Sequence, residues 1–126
     1  MKYIDLHTHT NYSDGGVSLD HSLKEAEAVG LSLFSVSDHN TVAAYSALDE
    51  SRHLFSGAIL PAVELSTTFK GDVIEILGYG IDVGKMSTLI GKTIIPFTIS
   101  RLRRHGLMPK QCSQRESRLM LNSSAR

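Results

Sequence analysis

An α/β fold, with parallel strands joined by right-handed crossovers, is what the first 84 residues predict. Two observations carry that expectation. Short strand-like runs (KYIDLH, LSLFSVSDH, AILPAVELS) alternate with two stretches of helical spacing, and strand–helix–strand order in one compact unit favours parallel pairing. The residues with chemistry fall at the ends of the runs, where sites gather in folds of this type.

The elements follow in order. In KYIDLH, residues 2–7, Ile4 and Leu6 share one face and Asp5, His7 and then His9 share the other, so one face is expected to pack and the other to carry chemistry. After the turn-rich NYSDGG, SLDHSLKEAEAVG predicts a helix capped by Ser18, with Leu19, Leu23 and Ala26 inward and Gly30 as a left-handed stop. LSLFSVSDH predicts a strand with Phe34 and Val36 on one side and Ser35, Ser37 and His39 on the other, the small serines leaving room beside the histidine.

Asn40 or Thr41 can cap a second helix, VAAYSALDESRHLF, with Val42, Tyr45, Leu48 and Phe55 as core contacts and Gly57 as its stop. AILPAVELS predicts a third strand ending at Glu64, and FKGDVIEILGYGID a hairpin turning at Lys70, Gly71 and Asp72 before a strand that carries Glu75.

Composition narrows the classes. With 41% apolar and 21% charged residues among 126, the chain is ordinary for a globular protein, which argues against disorder and against a membrane role. No segment approaches the ~20 apolar residues of a membrane span, and Asp5 and His7 interrupt any signal core, so a cytoplasmic, soluble protein with no membrane partner is expected. The lone Cys112 excludes an internal disulfide framework and a multi-cysteine zinc site. Zero net charge hides a split: residues 1–84 hold four Lys/Arg against twelve Asp/Glu, whereas residues 85–126 hold nine against one.

Imidazole nitrogens and carboxylate oxygens bind borderline divalent metals such as zinc, manganese and iron, and histidines at i and i+2 on a strand project from the same face. His7 and His9 alone are weak, but Asp14 in a tight turn, His39 at a second strand end and Glu64 at a third make coincidence a poor explanation. Asp5 and Asp38 flank the histidines and could orient them, although Asp38 alternates away from His39 and a structural role stands beside that one. His21 and His53 read as surface histidines. Asn11 and Tyr12 could face substrate; Ser13 needs no nucleophilic role where metal-activated water is available.

At these residues the chain resembles the PHP family, named for polymerases and histidinol phosphatases. DLHTHTNYSDG looks like that family's first motif, SVSDHNT its second and PAVELS its third, over about residues 1–84. The resemblance implies the N-terminal portion of a distorted seven-stranded β/α barrel, TIM-like and truncated. It also implies a phosphoesterase that hydrolyses phosphate mono- or diesters of nucleotides or small phosphorylated metabolites with a metal-activated hydroxide, using two or three divalent ions (manganese, zinc or iron). Carried over by motif, His7 and His9 would hold one metal, Asp14 and His39 another, and Glu64 would bridge. Many members have histidine where this chain has Glu75; a glutamate there can still bind a hard cation and shift preference toward manganese or magnesium.

The family's later motifs supply another histidine and an Asp-x-His pair. After Met86 the only histidine is His105 and the only acidic residue is Glu116. Residues 91–126 also lack sustained helical or alternating apolar periodicity, so a basic tail over residues 85–126, atypical of the family, is expected, from a shifted or interrupted reading frame near residues 86–92 or a disordered end. Two other functional readings stand beside the phosphoesterase: an inactive fragment that binds metal or a partner, and a nucleic-acid-binding end built on Arg101, Arg103, Arg104 and Lys110, with Phe97 its single aromatic.

Overall fold

The computed structural model describes residues 3–70 and 72–93. Strands β1 (Tyr3–Thr8), β2 (Leu31–Val36) and β3 (Ala58–Ile59) form a parallel sheet in the order β1-β2-β3, and β4 (Ala62–Phe69) and β5 (Asp72–Tyr79) form an antiparallel hairpin. Helix α1 (Leu19–Ala28) joins β1 to β2; the short α2 (Leu48–Ser51) lies between β2 and β3, and α3 (Val83–Thr93) follows the hairpin.

Helix α1 forms where its spacing and cap place it. The Ser18 hydroxyl accepts from the His21 N–H, Leu19, Leu23 and Ala26 are buried, and Gly30 ends the turn at φ +72, a conformation that costs glycine nothing. That apolar stripe meets Phe34 and Val36 of β2 and Phe55, whose ring meets Phe34 edge-on at 5.9 Å. Gly57 is small because a Cβ there would lie 2.3 Å from the Phe55 ring and 2.8 Å from the Leu31 carbonyl oxygen.

The second predicted helix is broken. A 3₁₀ turn at Ala43–Ala47, the single α turn of α2 and another 3₁₀ turn at Arg52–Leu54 replace it. Side chains fasten the segment at several points: the Tyr45 hydroxyl donates to the Val36 carbonyl (2.6 Å) and accepts from the Ala62 N–H (2.8 Å), Ser51 donates to Asp20, and Arg52 donates to the carbonyls of Phe55 and Gly57. Thr41 and Asn40 do not cap a helix as expected; Thr41 accepts from the Ala43 N–H, and Asn40 sits at φ 53.

The third predicted strand splits at Leu60 and Pro61. Proline has no N–H to give a ladder, so β3 ends on β2 while β4 starts afresh and pairs with β5 along its whole length, Ala62 opposite Tyr79 through Phe69 opposite Asp72. Glu64 therefore lies inside β4 rather than at a strand end. The hairpin turns where the sequence placed it, with Lys70 at φ 52.

Three further expectations change. Ile4 is 60% exposed, on a strand that is the edge of its sheet among the described residues. Ser35 and Ser37 do not leave space: both are fully buried, their hydroxyls donating to the carbonyls of Leu60 and Thr8 on neighbouring segments. Residues 91–93, the start of the stretch expected to lack helical periodicity, form the last turn of α3. Arg101, Arg103, Arg104, Lys110, Cys112, His105 and Phe97 lie outside the described residues. Among the described residues, no helix is long and apolar enough to cross a membrane.

Candidate metal centre

Four chain segments deliver six donor side chains to one place. His7 sits near the end of β1 and His9 one residue beyond it. The chain then doubles back, the N–H groups of Ser13 and Gly15 both donating to the Thr10 carbonyl (3.0 and 2.9 Å), and this turn presents Asp14 beside His9. Past β2, His39 forms a parallel bridge to Glu64: the Glu64 N–H donates to the Asp38 carbonyl (3.2 Å), and the Asn40 N–H to the Glu64 carbonyl (2.8 Å). Glu75 lies opposite Ser66 in the hairpin, two residues along from Glu64 and so on the same face.

Glu64 is the hub. Its Oε2 is 3.1 Å from His7 Nε2, 3.3 Å from His9 Nε2 and 3.6 Å from His39 Nε2, with the carboxylate only 8% exposed. Asp14 reaches His9 Nδ1 at 3.6 Å and His39 Nε2 at 3.8 Å, and Glu75 reaches His39 Nδ1 at 3.9 Å. The rings of His9 and His39 stack at 4.7 Å, and those of His7 and His9 tilt at 5.1 Å.

Three overlapping donor groups result: His7, His9 and Glu64; His9, Asp14 and His39; His39, Glu64 and Glu75, with the donor atoms of each group within 4.8 Å of one another. The donor set fits divalent cations. Nitrogen and oxygen donors of this mixture suit zinc, manganese and iron, and the buried His9 Nδ1 makes no hydrogen bond. An unsatisfied buried polar atom costs about 1–3 kcal/mol, a cost that a cation at that nitrogen would offset.

All six residues singled out from the sequence thus converge. Asp5 accepts from the His7 N–H (3.2 Å). Asp38, 1% exposed, accepts from Thr10 and Ser13. His21 and His53 are exposed, as are Asn11 and Tyr12. Beside His9, on the α1 side of β1, opens a cavity of about 360 Å³ that also touches His21 and Glu25.

Sequence reasoning missed three supports. Thr10 is fully buried and bound to Asp38. Asn40 and Ser66 pair twice, Asn40 Nδ2 donating to the Ser66 hydroxyl (3.0 Å) and the Ser66 N–H to Asn40 Oδ1 (2.9 Å). Gly15 passes so close under His9 that a Cβ would lie 2.2 Å from the His9 carbonyl oxygen. Only the glycine pair in SDGG hinted at any of them.

No protein-family model matches the chain. Over 81 residues it is 35% identical to the 5'-3' exoribonuclease Rnm of Salmonella typhimurium, a match covering 63% of this chain and 28% of that protein. Two solved structures resemble it. One is an amidohydrolase from Chromobacterium violaceum with bound sulfate and no metal (25% identity, TM-score 0.68, 80% of this chain and 36% of that one). The other is a proposed metal-dependent phosphoesterase from Bifidobacterium adolescentis (24% identity, TM-score 0.68, 90% of this chain and 39% of that one). The chain thus spans less than two fifths of each, and its mixed α/β architecture is similar to that of metal-dependent hydrolases.

Proposed function

We propose that this chain carries the N-terminal part of a PHP-type, metal-dependent phosphoesterase site acting on a phosphate mono- or diester: a nucleotide, a small phosphorylated metabolite or the phosphodiester of a nucleic acid. One observation carries the reading, the meeting of His7, His9, Asp14, His39, Glu64 and Glu75 from four separate segments around a buried carboxylate. The similarity to an exoribonuclease supports a phosphoester substrate.

In this reading His7 and His9 would hold one cation and Asp14 and His39 a second, with Glu64 a carboxylate donor shared by the groups and Glu75, beside His39 and Glu64, a further one. Divalent cations held there would supply a nucleophile from water near neutral pH and neutralise phosphate charge. The protein's own share is orientation. The Glu64 carboxylate fixes three imidazoles at once, and exposed His7 and Glu75 leave one side open to a substrate.

A second reading is metal binding without turnover, for which the same three donor groups suffice. Assay of the purified chain on a generic phosphate ester, with manganese and then with chelator, separates the two. Chelator-sensitive hydrolysis that His9→Ala abolishes supports the enzyme; manganese uptake without hydrolysis supports the second; hydrolysis indifferent to chelator removes the metal reading.

A further inference from the structure

We propose that Asp38 is the positioning residue of this centre, holding the loop that presents His9 and Asp14 by its carboxylate while its carbonyl holds Glu64; the inference rests on the metal reading above. Asp38 touches none of the donor atoms. Its Oδ1 accepts from the Thr10 N–H (2.6 Å) and the Ser13 hydroxyl (2.7 Å), its Oδ2 accepts from the Thr10 hydroxyl (2.6 Å), and the side chain is almost wholly buried.

Those two partners bracket the turn. Thr10 follows His9, and Ser13 precedes Asp14, so the carboxylate grips the segment at both ends of its course from one donor to the next. Hydrogen bonds to an ionised acceptor are roughly twice as strong as neutral ones. On its other side the Asp38 carbonyl accepts from the Glu64 N–H (3.2 Å). One residue thereby sets the distance between donors that β1, its loop and β4 supply, without adding a ligand of its own. Ligand-supporting groups of this kind typically change metal affinity about 10- to 100-fold when lost.

The test is manganese affinity, by calorimetry on the full chain, for wild type, Asp38→Ala, Asp38→Asn, Asp14→Ala and the Asp38→Ala/Asp14→Ala double variant. Asp38→Ala should bind about 10- to 100-fold more weakly. Asparagine can still accept at Oδ1 from Thr10 and Ser13 and donate from Nδ2 to the Thr10 hydroxyl, so Asp38→Asn should recover most of the loss. If Asp38 acts through the Asp14 loop, the double variant should be little worse than Asp14→Ala, whereas independent effects would multiply.

Should Asp38→Ala fail to fold by circular dichroism, Ser13→Ala takes its place: a severalfold loss in wild type that vanishes in the Asp14→Ala background is the expected result. Unchanged affinity in these variants, or losses that multiply, would overturn the inference while leaving the metal centre standing. A wild-type chain that takes up no manganese would overturn both.

Discussion

Gly15 and Gly16 stand side by side in the turn and face opposite demands. A Cβ at Gly15 would lie within 2.6 Å of backbone atoms of His9 and Thr10, whereas one at Gly16 would meet nothing within 4 Å. Because backbone atoms cannot swing away as a side-chain tip can, Gly15→Ala must push the loop off His9. We expect it to destabilise the fold by about 1–3 kcal/mol and to weaken manganese binding, with Gly16→Ala close to wild type in both; chemical unfolding and calorimetry read the two, and equal behaviour would show that the turn is not fixed by this contact. Glu64→Gln probes the hub differently. The amide keeps the shape but loses the charge among three imidazoles, so manganese uptake and any phosphatase activity should fall by at least about 10-fold, and an unaffected variant would remove Glu64 from the centre. The donors themselves were legible because their chemistry is written in residue type and spacing, although Glu64 lies inside β4 rather than at the strand end expected of it. Gly15 was not, since its constraint comes from where the returning backbone passes.

At the scale of elements, what could be read was periodicity, and what could not was attachment. The spacing of Leu19, Leu23 and Ala26 is enough to fix α1 because burial of one stripe decides it. Residues 42–55 have similar spacing and still break, since Tyr45 and Ser51 are tied to other segments, and Arg52 to carbonyls just downstream, by polar groups that no pattern announces. Pro61 was visible, yet only the pairing of β4 with β5 shows that the strand changes sheets there. Tyr45 makes two of these ties, to Val36 and to Ala62. Burial pushes its phenol above the ordinary value near 10, outweighing the Ala62 N–H that favours the phenolate, and the nearby Asp38 charge adds to the rise. The folded chain then retains a proton that the unfolded chain releases, so stability is intact below about pH 10 and declines as pH climbs from there through the raised folded value. Urea unfolding across pH 8 to 12 (roughly the window around a free phenol) should show that decline in wild type and a shallower one in Tyr45→Phe. The variant should also lose about 1–3 kcal/mol at neutral pH, where Val36 and Ala62 lose their partner; an identical slope would mean Tyr45 does not carry the alkaline sensitivity.

Across the whole molecule the centre is also a joint. The parallel sheet supplies His7, His9 and, past β2, His39, whereas the hairpin supplies Glu64 and Glu75, and among the described residues the two are linked directionally by the His39 to Glu64 bridge, the Asn40 to Ser66 pair, the Tyr45 hydroxyl and the His7 to Glu64 hydrogen bond. The hairpin meanwhile exposes Phe69, Val73, Ile74, Ile76 and Tyr79, so little apolar burial holds its outer half. A cation shared by donors from both sheets should therefore stabilise the hairpin more than the helix-backed core. At a hundredfold excess over Kd, a ligand that binds only the folded chain adds about 2.7 kcal/mol, which for a domain of this size raises Tm by on the order of 10 °C. Manganese should produce a rise of that order, chelator should reverse it, and hydrogen exchange should slow first and furthest at Glu64 to Ser66 and at Glu75, with Leu23 and Ala26 in α1 changing little below the global opening limit. Protection gained evenly over every strand and helix would show that the ion acts on global stability alone, and a Tm indifferent to manganese would show that these donors do not bind one.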